Sequence, residues 1–113
     1  MANNYNLEKV NAIAEDDKEF VAVLVQTLLD ELPEDVTMLQ QAVEAVDYEQ
    51  TYQVAHKMKP TIELFGLKHY DTLIEIQNWG KFSQKDKTID SQLEVFVHSV
   101  NKALSEIKND FNL

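Results

Sequence analysis

The sequence predicts an all-α protein, and three observations support that prediction. The chain of 113 residues contains only two glycines and two prolines, the residues that most often interrupt helices. Apolar residues recur at intervals of three and four along most of the chain, as on the buried stripe of a helix. Alternation of apolar and polar residues, which is typical of half-buried strands, does not persist. We expect one domain over residues 1–113 with a single hydrophobic core.

The first two helices are predicted from their apolar stripes and their capping residues. A short helix is expected over about 7–14, with Asn6 as a possible N-cap. A long helix follows from about Asp17 to Val46, and Asp16 or Asp17 can cap it. Its stripe keeps one phase across Pro33, which favours a single kinked helix over a new helix that begins at the proline.

Three further helices complete the prediction. The third runs from about Tyr48 to Phe65, with Asp47 as its cap and Gly66 as the residue that ends it in a left-handed conformation. A fourth is expected from about Leu67 to Trp79, followed by a polar connection over 80–87. The last runs from about residue 88 or 89 to Asn109.

The third predicted helix carries a histidine on the face opposite its apolar stripe. At about 100° per residue, His56 lies roughly 140° from the centre of that stripe and should face water or a partner. Lys59 follows one turn later, close enough for its ammonium to share a ligand with the imidazole. Tyr52 and Glu63 border the same surface. The stripe itself consists of Tyr48, Thr51, Ala55, Met58, Ile62 and Phe65.

An exposed histidine with a lysine on the next turn suits the transfer of a phosphoryl group. A neutral imidazole is a nitrogen nucleophile, and its ordinary pKa near 6.5 leaves it mostly unprotonated at pH 7. A phosphoryl group on that nitrogen would carry about two negative charges, which a nearby ammonium stabilises. Most surface pairs with this spacing are only solvated side chains, so the spacing alone does not decide between the two interpretations.

The surrounding residues resemble the histidine-containing phosphotransfer (HPt) domain of multistep phosphorelays. That family carries His-x-x-Lys-Gly-Ser, then an apolar pair and a glycine ten residues after the histidine. This chain has His56 and Lys59, a small polar Thr61, and the run 64–66 of sequence Leu-Phe-Gly at that offset. The acidic and apolar run 16–35 also resembles the family's opening helix, and the resemblance extends from about Leu7 to Ile107.

The resemblance implies both a topology and a set of roles. The topology is an antiparallel four-helix bundle with a short additional N-terminal helix. His56 would accept a phosphoryl group from the aspartyl phosphate of a receiver domain and pass it to another receiver, with Lys59 stabilising the phosphate. No cofactor or metal of its own is implied, because Mg²⁺ is expected on the partner. The partners would be response-regulator receiver domains and a hybrid sensor histidine kinase, contacted around Tyr52, Pro60, Glu63 and Asn78.

Pro60 is a departure from the family pattern, which usually has glycine directly after the lysine. A proline has no backbone N–H and clashes with the carbonyl four residues earlier, which here belongs to His56. The helix should bend or lose a hydrogen bond there. The departure leaves two alternatives open: an HPt-like binding module that regulates a receiver or kinase without transferring phosphate, or an unrelated helical adaptor.

Composition excludes several other classes of function. The formal net charge is −10, with ten lysines and no arginine, which disfavours nucleic acid and anionic membranes. Without cysteine there is no disulfide, thiolate metal site or cysteine nucleophile. A secretion signal, a membrane-spanning run and a phosphate-cradling glycine loop for ATP are not visible. We expect a cytoplasmic monomer that carries a phosphoryl group without kinase activity of its own.

Overall fold

The computed structural model describes residues 4–113, which form five helices and no β-strand, so the predicted all-α class is confirmed. Helix α2 runs without interruption across Pro33, so the single-helix interpretation of that segment is correct. Within this part of the chain, no helix combines the length and the apolar character needed to cross a bilayer. The helices are α1 (Glu8–Ala14), α2 (Lys18–Glu44), α3 (Tyr48–Leu64), α4 (Tyr70–Lys81) and α5 (Asp90–Asp110).

Helix α3 lies between α2 and α4 and packs against both of them. Asp35 of α2 meets Lys57 of α3, and Gly80 of α4 meets the first turn of α3 at Tyr48. In each pair, the contact lies far along both helices from the short connection that joins them. Helices α2 and α3 are therefore antiparallel, and so are α3 and α4. Helix α5 packs against α4 and α2, and α1 against α2. The largest fully buried side chains in this core are Phe96, Leu32, Leu39, Met58, Ile62, Leu73 and Ile76.

The predicted caps Asp17 and Asp47 are found at the starts of α2 and α3. The carboxylates of Asp17 and Asp47 accept hydrogen bonds from backbone N–H groups in the first turns of α2 and α3. At α1 the N-cap is Leu7 and not the predicted Asn6, although the side chain of Asn6 accepts a hydrogen bond of 2.7 Å from the N–H of Glu8. Each polar side chain therefore satisfies a backbone donor that the first turn of a helix leaves without an intrahelical partner.

Gly66 ends α3 as the sequence predicts, with a φ of +60°. Its N–H and that of Leu67 donate to carbonyls of the last turn, the usual arrangement at a C-terminal glycine. Helix α4 begins at Tyr70 and not at the predicted Leu67, because His69 also has a left-handed φ of 67°. The helix then extends past the predicted end at Trp79.

Val46 occupies the position after the C-cap of α2 in a left-handed conformation, with a φ of 52°. This conformation costs a residue with a side chain about 1–2 kcal/mol. Val46 is 54% exposed, so its removal loses little packing. Val46→Gly relieves this strain, but glycine loses more conformational entropy on folding, which offsets part of the gain. We expect a net increase of about 0.5–1 kcal/mol in the free energy of unfolding, measured by urea titration. Val46→Ala is the control, since it keeps the Cβ; an equal gain from alanine would show that backbone strain is not the cause.

Candidate functional site

His56 lies on the exposed face of α3, as the sequence predicts. The opposite face of the same helix is buried, with Tyr48 half-buried at its start. Because these side chains fix the rotation of α3 about its axis, the imidazole cannot turn into the core without unpacking the helix. The buried residues of that face are Thr51, Val54, Ala55, Met58 and Ile62.

Two lysines follow His56 within three residues, and their surroundings in the structure differ. The ammonium of Lys57 lies 2.9 Å from a carboxylate oxygen of Asp35, which is only 8% exposed. The hydrogen bond and the charge of Asp35 raise the pKa of Lys57, and this pair joins α3 to α2. Lys59 is half-buried, and none of the carboxylates in residues 4–113 lies within ion-pair distance of it. Of these two lysines, Lys57 is the one that forms an ion pair within residues 4–113.

Tyr52 packs against His56 from the preceding turn of α3. The two ring centroids are 5.7 Å apart and the ring planes are inclined by 31°. Tyr52 is half-buried, whereas His56 is exposed. The tyrosine ring thus lies beside the imidazole, which stays exposed to solvent.

Gly80 allows α4 to approach α3 beside this tyrosine. A Cβ at Gly80 would lie 2.5 Å from the carbonyl oxygen of Tyr48 and 2.8 Å from the backbone nitrogen of Tyr52. These distances leave no room for any side chain. The sequence predicts Gly80 in the connection after α4, but the residue lies within the helix. The glycine allows close packing of two helices and does not form a turn.

Gln77 is a buried polar residue on the same face of α4, and sequence reasoning did not single it out. It is 8% exposed, and among residues 4–113 no donor reaches its Oε1 atom. It precedes Gly80 by three residues, about 4.5 Å along the axis, so the antiparallel register places it opposite the turn of α3 from Tyr52 to His56. A glutamine in phase with buried Leu73 and Gly80 is the sequence signal that could have identified it.

Asn78, the polar residue that the resemblance suggests for this helix, is half-buried beside Gln77. Its backbone carbonyl accepts a hydrogen bond of 2.9 Å from the N–H of Phe82 at the end of α4. The structure thus gives two adjacent amide side chains on α4, of which Gln77 is the more buried.

Pro60 and Glu63 lie on the surface of α3 beyond Lys59. The helix continues through Pro60, and the carbonyl of His56 has no proline N–H to accept from. Pro60 and Glu63 line a groove of about 510 Å³ between α1 and α3, together with Ile13, a large apolar residue that is 58% exposed. An apolar groove therefore begins one turn from the imidazole.

The other two histidines lie apart from this arrangement. His69 is exposed at the start of α4, and His98 is exposed on α5. In the part of the chain that the structure describes, no group of three His, Asp or Glu side chains is placed to hold a metal ion.

Comparison of the chain with protein-family models, with curated proteins and with solved structures gives no match. The residues around His56 and their geometry are therefore the basis for a proposed function.

Proposed function

We propose that this protein is a phosphorelay intermediate of the HPt type, with His56 as the phosphoacceptor and Lys59 as the phosphate-stabilising residue. The observation that carries the proposal is the exposed imidazole in the middle of α3, followed on the next turn by an ammonium that forms no ion pair with residues 4–113. The protein would carry the phosphoryl group between receiver domains and would have no kinase activity of its own.

The packing of the helices supports an HPt-like architecture. Helices α2, α3, α4 and α5 contact one another in a closed cycle, and α1 packs on α2 outside it. We infer an antiparallel four-helix bundle with a short additional N-terminal helix. In that arrangement the middle of α3 is a rigid support for the nucleophile, far from the mobile ends of a helix.

The proposed step needs few groups from this protein. The lone pair of the unprotonated ring nitrogen attacks the phosphorus of the receiver's aspartyl phosphate. The N–P bond forms, the P–O bond breaks, and its electrons leave with the aspartate carboxylate. The other ring nitrogen keeps its proton. Mg²⁺ on the receiver would neutralise the phosphoryl oxygens, assisted by Lys59.

Charge around His56 favours an acidic partner. The whole chain carries a formal net charge of −10, yet Lys57 and Lys59 both lie within three residues of His56. A receiver presents its phosphoryl group among carboxylates. Because Lys57 is paired with Asp35, Lys59 is the lysine whose charge can reduce the repulsion between two acidic proteins. Like charges at an interface otherwise cost several kcal/mol.

The test is a phosphotransfer assay with the whole protein. Receiver domains carrying a labelled aspartyl phosphate are mixed with the protein and Mg²⁺, and the label is followed by electrophoresis. We expect label on this protein that is labile in acid, stable in base and mapped to His56 by mass spectrometry. Chelation of Mg²⁺ should stop the transfer, because the metal supports the chemistry on the receiver side.

Pro60 favours a second candidate, an HPt-like module that binds a receiver or a sensor kinase without accepting phosphate. Its exposed ring occupies the site where the resembling family has glycine, so it can hold a receiver too far from His56. Binding to a receiver without transfer would support this candidate. Neither binding nor transfer across a broad panel of receivers would favour a helical adaptor.

A further inference from the structure

The contact between Tyr52 and His56 gives the site a feature beyond the nucleophile and its lysine. The rings belong to residues four apart on one helix, and their centroids lie 5.7 Å from each other. An aromatic face attracts a positive charge within about 6 Å of the ring centroid, so the separation of these two rings is within range.

Tyr52 is more buried than the histidine that it contacts. Its backbone nitrogen lies against Gly80 of α4, and its side chain is half-buried beside the first turn of α3. His56 has an exposed side chain. A half-buried tyrosine next to an exposed histidine reduces the number of imidazole orientations, and this favours reaction if a productive orientation is among those that remain.

Phosphoryl transfer places positive charge on the imidazole. The attacking nitrogen gives its lone pair to phosphorus while the other nitrogen keeps its proton, so the ring becomes a phosphoimidazolium. The π face of Tyr52 interacts more favourably with this charged ring than with the neutral imidazole. Only an interaction that strengthens as the charge develops accelerates the step.

We propose that Tyr52 is a positioning residue of this site: its ring orients the imidazole of His56 and stabilises the charged ring that forms when the nitrogen takes the phosphoryl group. This inference rests on the proposed phosphotransfer function. It assigns the role to the aromatic face and not to the hydroxyl. A phenylalanine at position 52 should therefore perform this role as well as the tyrosine does.

The experiment compares Tyr52→Phe with Tyr52→Leu in transfer rate and in NMR spectra of the free protein. We expect Tyr52→Phe to keep the wild-type rate and the ring-current shift of the His56 ring protons. Tyr52→Leu should lose that shift and slow transfer about two- to five-fold from the cation–π contribution alone. Tyr70→Leu, at another half-buried tyrosine at the start of α4, is the control for loss of an aromatic side chain.

Three outcomes would overturn the inference, and they can be told apart. A wild-type rate in Tyr52→Leu would show that Tyr52 has no role in the step. An equal loss in Tyr52→Phe and Tyr52→Leu would show that the aromatic face is not the reason. No transfer to the wild-type protein, with the ring-current shift present, would overturn the proposed function and this role with it.

Discussion

Replacement of His56 by glutamine is expected to abolish phosphorylation of the protein. Glutamine keeps a polar side chain of similar length, but its amide nitrogen has no lone pair available for attack on phosphorus. The exposed position means that the free energy of unfolding should change by no more than about 0.5 kcal/mol. The measurement is label transfer from a phosphorylated receiver, with thermal unfolding of the same sample to confirm that the variant is folded.

The chain offers matched controls in its two other histidines. His69→Gln and His98→Gln also change exposed residues, and both should keep the wild-type extent of labelling. A labelled His56→Gln protein would contradict the assignment. If labelling were instead lost in His98→Gln, the acceptor would lie on α5, where no lysine follows three residues after the histidine.

Receiver binding should survive in His56→Gln. The residues proposed to border the docking surface, including Tyr52, Pro60 and Glu63, are unchanged in this variant. Affinity for an unphosphorylated receiver should therefore remain within about a factor of three of wild type, measured by calorimetry. Loss of binding together with transfer would indicate that the imidazole is mainly a docking contact.

Features that depend on local chemistry could be predicted from the sequence. The stop at Gly66 follows from the conformational freedom of glycine, and the caps at Asp17 and Asp47 follow from the unpaired N–H groups of a first turn. The exposure of His56 follows from the phase of the apolar residues on its own helix. Each of these features is decided within about two helical turns.

Features that depend on contact between helices could not be predicted in the same way. The pairing of Lys57 with Asp35 and the burial of Gln77 depend on the register of α3 against its neighbours. That register cannot be deduced from the sequence of any one helix. The late start of α4 depends on a left-handed His69, a residue type without the freedom of glycine. From its neighbours in the sequence alone, Gly80 indicates a turn. A glycine is needed there because the backbone of α3 leaves no room for a Cβ, and that contact is made by another helix.

Gly80→Ala is expected to destabilise the protein although it places a better helix former inside α4. In a solvated helix this change would add about 0.5–1 kcal/mol of stability. Here the new Cβ would lie 2.5 Å from the carbonyl oxygen of Tyr48, a backbone atom that cannot rotate away. Overpacking of this kind costs about 1–3 kcal/mol, so the free energy of unfolding should fall by about 1–2 kcal/mol in urea titrations.

Whether Gly80→Ala lowers or raises the free energy of unfolding tests the close packing of α3 and α4. The substitution should also alter the contact between Tyr52 and His56. Gly80→Ser adds one more atom and should destabilise further, whereas Ser105→Ala, on an exposed position of α5, should stay within about 0.5 kcal/mol of wild type. Because the displaced backbone carries Tyr52, the ring-current shift on His56 should weaken in Gly80→Ala. A stabilised Gly80→Ala protein would show that the two helices lie farther apart, and the tyrosine beside His56 would then lack its fixed support.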